Sequence, residues 1–206
     1  MIIHRDVQQR TPEWDELRLG RITASAIADL MPAKSKPVDS WTETQVKILY
    51  TVAAERMTGV RKDGFDSRAM AWGREQEDLA RQVYEIYTGN LVEQVGFIER
   101  DEWEGCSPDG LVDTDGLVEL KCPNSDTHLQ YRAIAGRLEA DYFWQVQDQL
   151  RVSERKWCDL VSFDPRFLSA EKRIYVARVH RDDEAIARID ERVKEAIDGI
   201  KEIMAF

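Results

Sequence analysis

The spacing of hydrophobic residues predicts that the first part of the chain is helical. Thr11 followed by Pro12 is a typical helix start, and residues 23–25 offer a second one. Two longer helices are predicted at about residues 42–57 and 67–88, because each segment stops at a glycine, a residue that commonly ends a helix.

The second part of the chain is predicted to alternate between strands and helices. The pattern gives strands at about 91–98 and 104–107, a hairpin around Leu111 and Leu117, two helices within 125–151, strands near 157–163 and 173–179, and a closing helix from 182. The closing helix carries its apolar residues at helical spacing, and these are Ile186, Ile189, Val193, Ile197 and Ile200. We therefore expect an α/β fold in which helices flank a central mixed sheet of about five strands.

Length and composition favour a single soluble domain. The 206 residues are 43% hydrophobic and 33% charged, which suits one domain over 1–206 with an N-terminal helical region (about 1–90) and a C-terminal helix (about 182–206). The chain has no long apolar run and no signal-peptide pattern at its start, so a cytoplasmic protein is expected. Its three cysteines and three histidines lack ligand spacing, which argues against a disulfide scaffold and a zinc site.

The net charge of −10 is unusual for a protein that binds DNA. The acids are unevenly distributed, however: residues 1–62 hold 10 basic and 8 acidic side chains, whereas residues 63–206 hold 19 and 31. Charge alone would favour an acidic protein that binds no nucleic acid. A basic groove and acidic metal ligands within an acidic surface are also compatible with these numbers.

The most specific pattern lies in residues 107–121. Asp109 follows a proline at a strand end, Asp115-Gly116 is a two-residue turn signal, and the next strand carries Glu119 and Lys121. Side chains alternate along a strand, so Glu119 and Lys121 are expected on one side, about 7 Å apart.

This hairpin has the composition of a nuclease site. Val118 and Leu120 would face the core, and if Asp109 lies beside Glu119, two carboxylates converge with the ammonium of Lys121. Metal-dependent phosphodiester hydrolysis requires such a set, because carboxylates hold Mg²⁺ and an amine can orient or deprotonate water. The pattern is the PD-(D/E)xK nuclease signature. Its ordinary alternative is an acidic surface hairpin, which the apolar strand around the two charges disfavours.

Further short blocks match a known family in the same order. They are Leu17-Arg18-Leu19-Gly20, Ile22-Thr23-Ala24-Ser25, Ala71-Trp72-Gly73 with Glu77, Cys106-Ser107-Pro108-Asp109-Gly110-Leu111, Leu120-Lys121-Cys122-Pro123 and Gln145-Val146-Gln147. With these blocks the chain resembles the lambda exonuclease family, the phage-type (YqaJ-like) viral recombinase nucleases. The resemblance implies a restriction-endonuclease-like core and a homotrimeric ring. It also implies digestion of one strand of double-stranded DNA from the 5′ end to mononucleotides.

The resemblance also implies roles for the hairpin residues. Asp109, Glu119, Glu77 and the Leu120 carbonyl would hold two Mg²⁺ ions, with Mn²⁺ as a plausible substitute, and Lys121 would act on the attacking water. Glu77 is expected early in its helix; an ordinary solvated carboxylate is its alternative.

A second set of residues would form a pocket for the 5′-terminal phosphate, and these are Arg18, Ser25, Ser107 and Gln145. Arginine offers a bidentate fork, and hydroxyl and amide groups add further hydrogen bonds. The expected partners are double-stranded DNA and a single-strand annealing protein that takes the 3′ overhang, in a bacterial host of a phage or prophage; no membrane is involved.

Two other functions remain open at this stage. The same core serves structure-specific or sequence-specific endonucleases, and a non-catalytic DNA-end-binding ring is a third possibility. Trp41, near Lys34 and Lys36 in a polar loop at 32–41, either contacts DNA or anchors that loop. Tyr142, Phe143 and Trp144 are expected mainly in the core, as are Cys106 and Cys122.

Overall fold

The computed structural model describes residues 1–31, 41–62 and 67–206. Within these residues the chain forms nine strands and seven α-helices. The strands are β1 (Ile2–His4), β2 (Ile22–Thr23), β3 (Val92–Glu93), β4 (Phe97–Glu99), β5 (Glu104–Cys106), β6 (Gly110–Val112), β7 (Gly116–Lys121), β8 (Trp157–Phe163) and β9 (Ile174–His180). The helices are α1 (Pro12–Arg18), α2 (Ala24–Leu30), α3 (Glu43–Thr58), α4 (Arg68–Thr88), α5 (Ser125–Ala133), α6 (Arg137–Ser153) and α7 (Asp183–Met204).

The larger sheet has five strands in the order β3-β6-β7-β8-β9. Strands β6 and β7 form an antiparallel hairpin, whereas β7 and β8 are parallel because α5 and α6 connect them. Strands β3 and β9 add antiparallel edges. This confirms the predicted α/β fold with a mixed five-stranded sheet flanked by helices.

A second sheet of four strands, in the order β1-β4-β5-β2, was not predicted. The single strand predicted at 91–98 is wrong, because β3 joins the larger sheet and β4 joins the smaller one. Between them, Gly96 lies so close to the segment after β1 that a Cβ would approach the Val7 carbonyl oxygen to 2.2 Å. The passage of the chain from the larger sheet to the smaller one depends on a contact with a distant segment. The local pattern of hydrophobic residues contains no information about that contact.

Strand β7 separates two parts of the core. Leu117 packs in the cluster that includes Val146 and Leu150 of α6, whereas Val118 and Leu120 pack in a cluster with residues of α4, β8 and β9. The prediction that Val118 and Leu120 face the core is confirmed. Burying each such side chain contributes about 1.5–3 kcal/mol, enough to fix the register of the strand.

The helix ends agree with the predicted boundaries. Thr11 and Ser67 accept hydrogen bonds as N-caps of α1 and α4, and Thr42 forms a capping box with Gln45 at α3. Helix α4 ends at Gly89, whose φ of 76° is left-handed.

The hairpin turn differs from its prediction. Val112 pairs with Gly116, so the loop has three residues, 113–115, and Asp113 takes the left-handed φ of 48°. Gly116 belongs to the strand, where a Cβ would come within 2.2 Å of the Trp157 ring. The glycine therefore makes room for an aromatic ring on the neighbouring strand.

Two buried polar groups fix the helices next to the site. Arg151 of α6 is 4% exposed and forms ion pairs with Glu104, Asp148 and Asp190, which joins α6 to β5 and α7. His128 of α5 is fully buried; its ring nitrogens contact a serine hydroxyl of β8 at 2.7 Å and a main-chain carbonyl at 2.8 Å. Burial lowers the pKa of His128.

Across the described residues, no helix combines the length and apolar composition that crossing a bilayer requires.

Candidate active site

Asp109 lies directly before β6, after Pro108. Its Oδ2 accepts the main-chain N–H of Leu120 at 2.6 Å. The bond ties this carboxylate to β7, the strand that carries Glu119 and Lys121. The hairpin therefore brings the three predicted residues to one place.

Glu119 is 4% exposed and forms three side-chain hydrogen bonds. Its Oε1 accepts from Lys121 Nζ at 2.6 Å and from Gln145 Nε2 at 2.7 Å, and its Oε2 accepts from Gln149 Nε2 at 2.7 Å. Lys121 Nζ lies 3.4 Å from Gln145 Oε1 and 4.5 Å from the centroid of the Tyr142 ring. The prediction that Glu119 and Lys121 share one side of the strand is confirmed.

The charged groups of this cluster shift the pKa values of one another. Burial raises the pKa of Asp109 well above its usual value, and the negative charges of Glu119 and Glu77 raise it further. Burial lowers the pKa of Lys121, but the charges of Glu119 and Asp109 outweigh this effect and leave the pKa above its ordinary value. Lys121 is therefore an ammonium at neutral pH, so in this state it donates hydrogen bonds and cannot accept a proton.

Glu77 projects from the middle of α4, not from its beginning as predicted. It lines the same clefts as Asp109 and forms an ion pair with Arg10. Arg10 takes the left-handed φ of 69°, a conformation that favours glycine. Sequence reasoning did not single out Arg10, because nothing in its local pattern indicates this backbone conformation.

The oxygen ligands of this site suit a hard divalent cation. Among the residues that the structure describes, no three His, Cys, Asp or Glu side chains form a ready metal site; Glu119 and Glu77 hydrogen bond to Lys121 and Arg10 instead. Burial raises the pKa of Asp109, and the nearby carboxylates of Glu119 and Glu77 raise it further although Lys121 lowers it. Carboxylates in such surroundings match the ligand preference of Mg²⁺ and Mn²⁺.

Two clefts meet at the carboxylates. The larger, of about 680 Å³, contains Asp109, Glu119 and Lys121, and Trp14 and Tyr142 lie on its wall. The smaller, of about 340 Å³, is also lined by Asp109 and Glu77; its polar wall includes Arg5, Arg10, Arg74, Gln8, Gln9 and Gln94. Asp109 and Glu77 therefore line both clefts.

Only part of the predicted phosphate pocket is assembled as expected. Ser107 Oγ accepts hydrogen bonds from Arg18 Nη1 at 3.2 Å and from Trp14 Nε1 at 2.9 Å. Ser25 is exposed and lines a cleft of about 400 Å³ together with Arg18. Gln145 instead contacts Glu119 and Lys121, so the structure places it in the carboxylate cluster.

Several residues at the site were missed by sequence reasoning. Gln149 lies one helical turn after Gln145 and binds the same carboxylate, a relation that their i, i+4 spacing could have suggested. Glu55 is buried and accepts the main-chain N–H groups of Gly20 and Lys62 at 2.9 and 3.0 Å. A lone glutamate within a helix gives no local signal for such a role.

Trp41 has the structural environment of an anchor. The guanidinium carbon of Arg192 lies 3.5 Å from the centroid of its ring, and Trp41 packs against the core cluster of α2, α3 and α7. Lys34 and Lys36 of the predicted loop lie outside the described residues.

The remaining candidates mostly pack as expected. Cys106 is buried in the core, and Cys122 is half-buried; burial raises the pKa of Cys122 to about 12, so its thiol stays protonated. Trp144 packs against the core cluster of α2, α3 and α7. Tyr142 packs against the core cluster that includes Val146 and Leu150, and it also lines the large cleft beside Lys121.

Comparison with known proteins identifies the family. The model of the YqaJ-like viral recombinase domain matches residues 13–156. The chain is 34% identical to an alkaline exonuclease (LHK-Exo) from Laribacter hongkongensis, over 95% of both chains and with a TM-score of 0.84. The structure of LHK-Exo in complex with dAMP matches at 34% identity, 95% of both chains and a TM-score of 0.83.

A more distant match shows the fold alone. A phage-related exonuclease from Haemophilus somnus 129PT is 15% identical, over 90% of this chain and 95% of its own, with a TM-score of 0.75. None of the curated proteins compared with the chain matches it. The family model, which covers more than half of the chain, and the alkaline exonuclease agree with the resemblance carried by the sequence motifs: the chain belongs to the YqaJ-like viral recombinase family.

Proposed function

We propose that the chain is a Mg²⁺-dependent exonuclease that degrades one strand of double-stranded DNA in the 5′→3′ direction. It would start at 5′-phosphorylated ends, release mononucleotides and leave 3′ single-stranded overhangs. The observation that carries this proposal is the convergence of Asp109, Glu119 and Lys121 on one hairpin. Membership of a family whose solved relatives are exonucleases supports the same class of reaction.

The side chains of the cluster have distinct tasks in this proposal. Asp109, Glu119, Glu77 and the Leu120 carbonyl would hold two divalent ions. When bound, such ions neutralise charge on the scissile phosphate and make water a better nucleophile. The protonated Lys121 donates a hydrogen bond that orients the attacking water or a phosphate oxygen. Gln145 bridges Glu119 and Lys121, and so holds both in position.

The assignment to DNA ends rests on Arg18. Its guanidinium is held between the Trp14 ring, 4.3 Å away, and Ser107. A terminal phosphate carries more negative charge than an internal diester, so a buried guanidinium favours ends. Ser25 and Ser107 would add hydroxyl contacts to the same phosphate.

The proposal extends to assembly and partners. An acidic protein with a net charge of −10 gains little from general attraction to DNA. A homotrimeric ring around the duplex would make the enzyme processive through topology. The 3′ overhang would pass to a single-strand annealing protein, in the cytoplasm of a bacterial cell that carries the phage or prophage.

A single assay tests polarity and end dependence together. Linear duplex DNA is labelled at either end, with or without 5′-phosphate, and incubated with Mg²⁺. We expect nucleotide release from phosphorylated 5′ ends by the wild type, and loss of release in Asp109→Asn and Lys121→Ala. Asp115→Asn is the matched control, because Asp115 is an exposed acid of the same hairpin that pairs only with Lys156 in the described structure.

Closed circular DNA as a second substrate, and a measurement of end binding, separate the other two candidates. Cutting of closed circular DNA would replace the proposal by an endonuclease. Tight binding of ends without Mg²⁺-dependent nucleotide release would replace it by an end-binding protein. Full activity of Asp109→Asn would remove the proposed role of the hairpin.

A further inference from the structure

Arg61 lies in the cleft that contains Arg18 and Ser25, although none of the sequence motifs includes it. The cleft has a volume of about 400 Å³ and lies between α2, α3 and the segment that follows α3. Arg61 comes two residues after the glycine that ends α3. Its side chain is 30% exposed and forms an ion pair with Asp15 of α1.

The indole ring of Trp14 brings two guanidinium groups together. The guanidinium carbon of Arg18 lies 4.3 Å from the ring centroid, and that of Arg61 lies 5.2 Å from it. Attraction between an aromatic face and each cation holds both side chains beside one ring. Two like charges therefore lie beside one ring, and both side chains line one cleft.

The main chain of both arginines is fixed by one buried carboxylate. Glu55 Oε2 accepts the N–H of Gly20, two residues after Arg18, and Glu55 Oε1 accepts the N–H of Lys62, next to Arg61. Because a single side chain of α3 holds both segments, the fold fixes the main-chain positions from which the two arginine side chains extend. A preorganised pair of cations binds an anion without the cost of assembling it.

The pair of arginines has unused hydrogen-bonding capacity. In the described part of the chain, Arg18 Nε is buried and meets no acceptor. Ser107 Oγ accepts hydrogen bonds from Trp14 and Arg18, and the hydroxyl hydrogen of Ser107 takes part in neither of these two bonds. Burial lowers the pKa of Arg18 to about 10, and the charge of Arg61 contributes to this shift. An anion bound by both arginines would accept from these donors and offset the remaining repulsion between them.

We propose that Arg61 is a second phosphate-binding arginine, which makes the cleft selective for a terminal phosphate dianion over a 5′-hydroxyl group. The inference rests on the proposed function, since it names a residue that recognises the substrate of that site. Two guanidinium groups can bind two faces of one phosphate, whereas an internal diester lacks the second negative charge. Asp15 holds Arg61 beside Trp14 and competes with the phosphate for it.

The test uses two variants that break the same ion pair. Arg61→Gln removes the proposed phosphate ligand, and Asp15→Asn removes its competitor but keeps the ligand. We measure kcat/KM on 5′-phosphorylated and 5′-hydroxyl duplexes, and the affinity for both duplexes in EDTA. The readout is the phosphate-to-hydroxyl ratio in each measurement. Arg137→Gln is the matched control, because Arg137 is 51% exposed and pairs with Asp141 away from the clefts.

We expect the two variants to change the ratio in opposite directions. Arg61→Gln lowers it roughly tenfold to a hundredfold, the range for the loss of a hydrogen bond to a charged group. Asp15→Asn keeps or raises it, and Arg137→Gln leaves it unchanged. If the Arg61–Asp15 pair were only structural, both variants would act alike.

Two results would overturn the inference: an unchanged ratio in Arg61→Gln, or an equal fall in Arg61→Gln and Asp15→Asn. The failure of the proposed function would be recognised separately. If the wild type hydrolyses neither duplex, the exonuclease proposal fails, while the binding ratio in EDTA still decides whether Arg61 recognises phosphate.

Discussion

Replacing Asp109 by asparagine is predicted to stabilise the metal-free protein while it abolishes activity. Asparagine keeps an oxygen that can accept the Leu120 N–H, so the hydrogen bond that positions the side chain survives. The substitution removes a negative charge that burial disfavours and that Glu119 and Glu77 repel. Residues that hold charged ligands commonly reduce the stability of the empty fold in this way.

The size of the effect follows from Coulomb's law. At an effective dielectric constant near 20, one like charge about 6 Å away costs about 3 kcal/mol. Lys121 offsets part of this repulsion, so we expect a net gain of about 1–2 kcal/mol in the free energy of unfolding. For a domain of this length, each kcal/mol raises the melting temperature by roughly 2–4 °C.

The pH dependence of the stability gain in Asp109→Asn tests the same explanation. The raised pKa of Asp109 means that the folded state binds its proton more tightly than the unfolded state. The stability associated with this proton is therefore present at low pH and lost as the pH rises through the folded-state value. The gain from Asp109→Asn should be largest at neutral pH and shrink towards the ordinary pKa of aspartate, about 3.9.

The assay is thermal unfolding in EDTA and then with added Mn²⁺. In EDTA, Asp109→Asn should have a higher melting temperature than the wild type. On addition of Mn²⁺, its melting temperature should rise less than that of the wild type. Asp115→Asn should match the wild type in both conditions. A lower melting temperature of Asp109→Asn in EDTA, or a rise with Mn²⁺ as large as that of the wild type, would refute the reasoning.

Three further predictions concern neighbouring groups. Gln149→Leu leaves one oxygen of buried Glu119 without its donor, so urea unfolding should show a loss of about 1–3 kcal/mol; an unchanged midpoint would contradict this bond. His128 has a lowered pKa in the folded state, so below about pH 6.5 the unfolded state takes up the proton more readily and the free energy of unfolding falls. The urea midpoint of the wild type should therefore drop between pH 7.5 and pH 5.5, and that of His128→Gln should drop less. An equal drop in both proteins would contradict this role of His128. Arg10→Gly removes a side chain from a left-handed backbone position and breaks the ion pair with Glu77. The free energy of unfolding should change by less than about 1 kcal/mol, while the rise in melting temperature on addition of Mn²⁺ becomes larger. A smaller rise would show that Arg10 does not compete with the metal.

The sequence predicts those features that depend on neighbouring residues. The boundaries of α3 and α4 follow from local caps, since Thr42, Ser67 and the terminal glycines act within one helical turn. The pairing of Glu119 with Lys121 is equally local, because strand alternation alone puts them on one side. The period-2 and period-3.6 patterns carry this information directly.

Other features depend on contacts between distant segments. The split of residues 91–98 between two sheets is set by β1 and β6, which lie far away in the chain. Gln145 shows the same limit within the site. Its motif predicts a role at the site, but only the packing of α6 against β7 shows that it contacts Glu119. Arg61 belongs to no motif, and only Trp14 and Glu55 reveal its place beside Arg18.

The central claim is that Asp109 and Glu119 hold divalent cations next to Lys121. Anomalous diffraction from a crystal soaked in Mn²⁺ tests this most directly. We predict a peak coordinated by the carboxylates of Asp109 and Glu119 and absent from an Asp109→Asn crystal. A fully occupied Mn²⁺ site elsewhere on the protein, with no density between these two carboxylates, would contradict the account.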